Sequence, residues 1–161
     1  MLGEFGIRQF IIALEECEHR LRTARKILII SPYYTHSAGN NILISLARRQ
    51  IEINVLLQKK AWQDGGYSVD QALLTRLNNV GNNVNVRLLD DLHAKIFCIR
   101  YDDNSIGIWT GSANFTKKAD GTIRRQNNPP NVELIQNSQV GPIHAPLMNQ
   151  IRAYWQAGAD I

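Results

Sequence analysis

The sequence predicts an α/β fold in which a mixed β-sheet is flanked by helices, within one domain that spans residues 1–161. Two observations predict this class. Strands alternate with helices in the first half of the chain, and two strands joined by a short turn follow in the second half. With 44% apolar and 20% charged residues, the chain has the composition of a globular protein, and its length suits one domain with a substantial core.

The first half shows helical and strand patterns in turn. Apolar residues spaced three and four apart, with charges on the opposite face, indicate amphipathic helices, and short apolar runs indicate strands. Asn40 or Asn41 is the predicted N-cap of the second helix. Asp64-Gly65-Gly66 marks a loop. The predicted elements are a helix over about 5–24, a strand over 26–31 that ends at Pro32, a helix over 40–50, a strand over 51–57 and a helix near 69–79.

The second half is predicted to be mainly strands, and a helix ends it. A strand over 84–89 alternates apolar and polar residues, and a hairpin follows around Asp102-Asp103-Asn104. The residues 122–130 are polar and contain proline, which is typical of a surface loop. The remaining predicted elements are hairpin strands over 93–101 and 105–110, a strand over 132–135 and a helix over 142–156.

Composition and charge exclude some function classes and leave others open. No apolar run approaches the roughly 20 residues of a membrane-spanning helix, and no secretory signal is apparent, so a cytoplasmic location is expected. The net charge of +4 suits a polyanionic substrate and equally suits simple solubility. Cys17 and Cys98 are predicted to be buried thiols rather than a disulfide or part of a metal site.

Two short segments carry the residues suited to chemistry. In a strand, residues i and i+2 point to the same face, so His93 and Lys95 are predicted to project together. The turn Gly111-Ser112-Ala113-Asn114 follows the next strand of the hairpin, and its side chains can arrive at the same end of the sheet. An imidazole, an ammonium, a hydroxyl and a carboxamide would then converge on one site.

Such a set is suited to cleaving a phosphodiester. Lys95 and the amide of Asn114 can stabilise the negative charge of the transition state, and Ser112 can add a further donor or cap the turn. His93 can attack phosphorus as a neutral imidazole and form a covalent intermediate. Simpler interpretations also exist, since a histidine in a strand is often structural and Asn114 is a common turn former.

His93-Ala94-Lys95 followed by Gly111-Ser112-Ala113-Asn114 resembles the HKD motif of the phospholipase D superfamily. The ending Gly-Ser-Ala-Asn-Phe-Thr is particularly similar to the small single-motif nuclease branch of that family. Glu133 matches the carboxylate that follows the motif in the family and would orient the histidine, although an exposed strand acid is the alternative. The motif therefore covers residues 93–133. It departs from the family pattern at Arg100, where an aspartate is expected, and Asp102 or Asp103 could replace it.

The resemblance implies a metal-independent phosphodiesterase without a cofactor. Cleavage needs a nucleophile and a general acid, and the chain has one His-x-Lys only. The resemblance therefore implies a homodimer in which two copies of His93, Lys95 and Asn114 line one site. It further implies an endonuclease that hydrolyses DNA, or RNA, through a phosphohistidine. The alternatives are a phospholipid (cardiolipin-type) phosphodiesterase and a non-catalytic nucleic-acid-binding module, and no membrane anchor is evident.

Other residues have weaker signals. Lys117 and Lys118 follow the motif turn directly and are predicted to contact the phosphate backbone of the substrate. His36 could line the substrate cleft with Tyr33 and Tyr34, or lie in an ordinary loop. Histidine and cysteine spacings do not indicate a zinc site, and His144 is expected to be structural or on the surface.

Overall fold

The structure, a computed structural model, describes residues 6–116, 118–120, 133–137 and 145–161, with the backbone alone considered for 6 and 133–137. Helices and strands alternate over the first half, as the sequence predicts. In chain order they are α1 (Gly6–Glu18), β1 (Ala24–Ile30), α2 (Ser37–Ala47), β2 (Glu52–Gln58), α3 (Lys59–Asp64), α4 (Gln71–Asn78), β3 (Val84–Leu89), β4 (Ile96–Tyr101), β5 (Ile106–Thr110), β6 (Glu133–Asn137), α5 (Ala145–Ala157) and β7 (Ala159–Asp160).

The described strands form one mixed sheet in the order β6-β5-β4-β1-β2-β3-β7. β1, β2 and β3 are parallel, whereas β4, β5 and β6 are successively antiparallel next to β1, and β7 is antiparallel to β3. In one row of the register Ile30 pairs with Ile96, Ile96 with Thr110, and Thr110 with Glu133. At this edge, called the motif edge below, β1, β2, β3 and β5 end and β4 and β6 begin.

The larger core lies on the face of the sheet that α1, α2 and α4 cover. Phe10 of α1 stacks on Phe97 of β4 with ring centroids 4.9 Å apart and is tilted against Trp109 of β5 at 5.6 Å. Trp109 is thus a packing residue of the larger core. Because each fully buried side chain of this size contributes about 2–3 kcal/mol, the apolar stripe of α1 suffices to fix it on the sheet.

The opposite face of the sheet carries a smaller core under α5. Met148 and Ile151 of this helix pack with Cys98 of β4 and with Leu92, which precedes the strand. Cys17 and Cys98 are both free and buried, which confirms the prediction for them. Burial raises the pKa of Cys17 to about 11 and that of Cys98 to about 12, so both are thiols at neutral pH. No helix in the described ranges is long and apolar enough to cross a bilayer.

Several expectations about element ends need correction. The N-cap of α2 is His36, whose Nδ1 accepts from the Gly39 N–H at 2.9 Å, and not Asn40 or Asn41. Asn40 is instead buried inside the helix, where it accepts from the Tyr34 hydroxyl and donates to the carbonyl of Leu73. An imidazole nitrogen replaces the usual oxygen cap, so the helix begins three residues earlier than predicted.

The first strand of the motif hairpin is also shorter than predicted. β4 begins at Ile96, so His93 and Lys95 lie in the loop before it, because pairing with β1 starts at the Ile30–Ile96 pair. α1 ends at Glu18 rather than near residue 24. The short elements α3 and β7 are not evident from the sequence. The predicted strand at 84–89 is confirmed at both ends, and the hairpin β4–β5 is confirmed as well.

Candidate active site at the motif edge

The residues of the motif meet at the motif edge because their loops flank neighbouring strand ends. His93 and Lys95 come directly before β4, and the turn from Gly111 to Asn114 comes directly after β5. β4 and β5 are paired, with Ile96 opposite Thr110, so the two segments leave the sheet side by side. The structure thus brings both halves of the motif to one place, although by way of loops rather than within a strand.

His93 and Lys95 differ in how they are held. The His93 side chain is exposed, whereas Lys95 is half-buried and its Nζ donates to the carbonyl oxygen of His93 at 2.8 Å. That bond uses one of the three N–H donors of the ammonium and holds the Lys95 charge beside the backbone of His93. The ammonium has two further donors, which can serve a group bound beside His93.

The turn after β5 exposes Ser112 and half-buries Asn114. The carboxamide oxygen of Asn114 is buried and has no hydrogen-bond partner among the described residues. Buried polar atoms are nearly always paired, so an unpaired one at this turn is consistent with a group reserved for a ligand or for a second chain.

A buried hydroxyl holds the end of the motif turn. Ser31, directly after β1, accepts from the Phe115 N–H through Oγ at 3.0 Å and donates to the carbonyl of Tyr33 at 2.6 Å. Thr35 N–H donates to the Phe115 carbonyl at 3.0 Å. The Phe115 ring lies so close to α2 that a Cβ on Gly39 would come within 2.6 Å of it, so only glycine fits there.

Gln58, the last residue of β2, ties the loop with His93 to the loop after β1. Its Nε2 donates to the carbonyl of Leu92 at 3.1 Å, and its backbone N–H donates to the carbonyl of Pro32 at 3.3 Å. The segment 31–35 is therefore linked through Gln58 to the His93 loop and is bonded directly to the end of the Asn114 turn. This link was not predicted, because a glutamine at a strand end has no distinctive pattern.

A buried ionic group lies behind the site. His36 Nε2 donates to Asp120 Oδ2 at 3.1 Å, since its Nδ1 is an acceptor for Gly39, and Arg8 Nη1 donates to the same oxygen at 3.1 Å. Both His36 and Asp120 are buried. His36 is therefore neither a cleft residue nor an ordinary loop residue: it joins α2 to the segment that follows the motif turn. Tyr34 is likewise in the core, and burial raises its pKa.

The remaining predicted site residues are described only in part. β6 begins at Glu133 opposite Thr110, so its backbone lies at the motif edge, but its side chain lies outside the described residues. Lys118 is exposed, three residues after Phe115, whereas Lys117 and His144 lie outside the described residues, as does the predicted loop at 122–130. In the part of the chain that the structure describes, no group of three histidine, cysteine or acidic residues is arranged to hold a metal ion.

The acids proposed as substitutes for the family aspartate lie elsewhere. Asp102 and Asp103 form the turn between β4 and β5, at the sheet edge opposite the motif, so neither reaches the site. Asp103 accepts from the Ser105 N–H at 2.9 Å, and hydrogen bonds from Ser105 lower its pKa. Arg100 itself lines a cavity of about 170 Å³ under α5, together with Lys26 and Trp155.

Comparison with known proteins fixes the family. A family model described as the PLD-like domain of cardiolipin synthase matches residues 17–155. The chain belongs to the phospholipase D superfamily. This membership assigns the chain to the phosphodiesterase hydrolases. The matched range includes all residues of the motif edge. A search of curated protein sequences finds no match for the chain.

Solved structures of three other proteins are similar to this chain in fold. Nuc of Salmonella typhimurium, a phospholipase D family member, is 16% identical with a TM-score of 0.65, over 96% of this chain and 89% of Nuc. NucT of Helicobacter pylori is 19% identical with a TM-score of 0.61, over 96% and 92%. TrmBL2, an archaeal chromatin protein, is 13% identical with a TM-score of 0.59, over 98% of this chain and 53% of TrmBL2.

Proposed function

We propose that the protein is a metal-independent endonuclease that hydrolyses DNA, or RNA, through a phosphohistidine in a site shared by two copies of the chain. The observation that carries the proposal is the meeting of His93, Lys95, Ser112 and Asn114 at one sheet edge in a chain with a single His-x-Lys. The family supplies the phosphodiesterase chemistry. The basic net charge of +4 and the exposed Lys118 favour a polyanionic substrate.

The proposed reaction uses two histidines. The neutral imidazole of His93 attacks phosphorus, so that an N–P bond forms as the P–O bond to the leaving group breaks. His93 of the partner subunit gives its proton to the leaving oxygen and then activates a water, which hydrolyses the phosphohistidine. Lys95 and the Asn114 amide donate to the non-bridging oxygens, whose charge must be stabilised in the transition state. The exposure of His93 leaves it accessible to both substrate and partner.

Glu133 and the lysines after the motif turn have supporting roles in this proposal. The carboxylate of Glu133, on the first residue of β6, would accept from the His93 ring and hold the reactive nitrogen toward phosphorus. Lys117 and Lys118 would contact phosphates beside the scissile one, positioning the strand without reading its sequence.

Plasmid nicking in EDTA tests the activity. Nicking that persists in EDTA, and that His93→Ala abolishes, is the expected result. His19→Ala is the matched control, since His19 is also exposed but lies beyond the end of α1, at the opposite edge from the motif. Nicking that requires added Mg²⁺ would contradict the mechanism.

Mixing experiments test the shared site. When wild type is exchanged with increasing His93→Ala protein at constant total concentration, the activity should fall as the square of the wild-type fraction, because a mixed dimer has one histidine only. A linear fall, or an active species that light scattering finds to be monomeric, would contradict the shared site.

A phospholipid substrate is the second candidate, favoured by the description of the matching family model as cardiolipin synthase. Release of phosphatidic acid from anionic liposomes, without cleavage of DNA or RNA, would support it. Salt-sensitive DNA binding without any turnover would instead indicate a binding module. The shared fold of TrmBL2, whose structure is described as a novel mode of DNA binding, makes that outcome worth measuring.

A further inference from the structure

Two exposed tyrosines border the motif edge. Tyr33 follows β1 and is 40% exposed, and Tyr67 lies in the loop after α3 and is 102% exposed. Tyr34, the next residue after Tyr33, is fully buried, and side chains alternate along an extended segment, which turns Tyr33 outward. Neither exposed ring has an aromatic contact or a side-chain hydrogen bond within the described ranges. The ring of Tyr67 therefore contributes no burial that would stabilise the fold.

The backbone places both tyrosines beside the motif turn. Tyr34 bridges in parallel to Val69 on one side and to Phe115 on the other. The Tyr34 N–H donates to the Ser68 carbonyl at 2.8 Å, and the Asp70 N–H donates to the Tyr34 carbonyl at 2.9 Å. Three segments thus run side by side: 67–70, 33–35 and 114–116. Neighbouring strands lie about 4.8 Å apart, so the Tyr67 segment is about 10 Å from the turn with Asn114.

The loop with Tyr67 is shaped to project. Gly65 and Gly66 have φ values of +64° and +66°, a left-handed conformation that favours glycine. The loop then returns through Ser68 and Val69 to the bridge with Tyr34. The ring of Tyr67 thus projects into solvent, and the backbone of the next residue, Ser68, is held by its hydrogen bond to Tyr34.

Unpaired cations accompany the tyrosines. Lys59 and Lys60 are exposed, follow Gln58 directly, and make no ion pair with any other residue that the structure describes. The exposed acids Asp90 and Asp91 lie at the end of β3 and repel phosphates from that part of the edge. The side that carries Tyr33 and Tyr67 has these two exposed lysines against one exposed acid, Asp64, so it accommodates a polyanion better than the end of β3 does.

We infer that the strand cut at this site is bound unpaired, with the bases beside the scissile phosphate stacked on Tyr33 and Tyr67. The inference rests on the proposed nuclease function. Flat exposed rings at the edge that carries the motif, together with exposed lysines at the same edge, form a stacking platform for single-stranded nucleic acid. A duplex cannot use the platform, because the faces of its internal bases are covered by neighbouring base pairs.

Binding by a catalytically inactive protein tests the platform apart from cleavage. In a His93→Ala background, Tyr67→Ala should weaken binding of a fluorescein-labelled single-stranded oligonucleotide about tenfold, and binding of the matching duplex should stay unchanged. Tyr67→Phe should restore the affinity, because it keeps the ring. Leu21→Ala is the control, since Leu21 is 73% exposed but precedes β1 at the opposite edge.

An abasic site in the oligonucleotide identifies the stacked base. If one base stacks on Tyr67, its removal and Tyr67→Ala should not be additive, whereas abasic sites elsewhere should add to the effect of the substitution. Equal losses on single strand and duplex, no loss at all, or failure of Tyr67→Phe to restore binding would overturn the inference. The inference would also be overturned if Tyr67→Ala weakened binding to anionic vesicles and left binding of the oligonucleotide unchanged. If duplex DNA is cut but Tyr67→Ala changes nothing, the platform fails and the nuclease proposal stands.

Discussion

The two ends of the β4–β5 hairpin are built differently. At the turn end, Arg22 donates to the Ser105 hydroxyl at 2.8 Å and its guanidinium lies 3.4 Å from the Tyr101 ring centre, while Ser105 donates to Asp103. At the motif end, the side chains of His93 and Ser112 are exposed and make no hydrogen bond with any described residue.

If the proposed site is correct, this difference separates groups that stabilise the fold from groups that act on a ligand. Polar groups that are satisfied within the chain contribute to stability, whereas an unpaired buried acceptor such as the Asn114 oxygen costs folding free energy. We therefore expect substitutions at the motif end to reduce activity without reducing stability. Substitutions at the turn end should do the reverse.

The largest effect is expected for His93→Ala. Loss of both nucleophile and general acid should reduce phosphodiester cleavage by at least about 10³-fold. The free energy of unfolding should change by no more than about 0.5 kcal/mol, because the side chain is exposed. Cleavage rates and urea unfolding measure the two effects. A large loss of stability would show that His93 stabilises the fold, and the two ends of the hairpin would then not differ as proposed.

Asn114→Ala should also separate activity from stability. Activity should fall about 10²–10³-fold, because a donor to the transition state is lost. Stability should be unchanged or rise by about 1 kcal/mol, because the unpaired buried oxygen is removed. The same two assays apply. A destabilised variant would show that the oxygen has a partner in the native protein.

Ser105→Ala is the matched change at the turn end. It removes the acceptor for Arg22 and a donor to Asp103, so the free energy of unfolding should fall by about 1–2 kcal/mol. Cleavage should keep its wild-type rate, because the turn lies at the opposite sheet edge. Reduced cleavage at full stability would show that the two ends are coupled through the strands.

The smallest expected effect is on the pH dependence of stability, compared between wild type and Ser105→Ala. Hydrogen bonds from Ser105 hold the pKa of Asp103 below its ordinary value of 3.8. A carboxyl with a lowered pKa in the folded state stabilises it above the ordinary pKa, and this contribution is lost as pH falls through the lowered value. The stability difference between wild type and Ser105→Ala should therefore shrink in strong acid. If the stability difference were the same at all pH values, the effect of Ser105→Ala would come from the lost hydrogen bond to Arg22 alone.

The sheet and the motif could be predicted because their signals are local. Alternation and apolar runs mark β2 and β3, and the order of strands around the Asp102–Asn104 turn marks the hairpin that aligns the two halves of the motif. The β5–β6 pairing also carries Glu133 to the motif edge, as its place after the motif implies.

The supports of the site could not be predicted, because they join residues far apart in the chain. Nothing in the sequence near His36 indicates that its imidazole caps α2 and bonds Asp120. Ser31 and Gln58 are ordinary polar residues until the fold brings them to Phe115 and Leu92. The predicted start of β4 is wrong for a related reason. The spacing of His93 and Lys95 is typical of a strand, but the sequence does not show that pairing with β1 begins only at Ile96.

The bonds behind the motif turn also bear on when the site comes into being. Arg8 and Asp120 are 112 residues apart in the chain, and Ser31 and Phe115 are 84 apart. Contacts of such long sequence separation are costly to close and form as the whole domain folds. A growing chain on the ribosome therefore carries the complete motif before it carries a site, and hydrolytic capacity arises together with global folding.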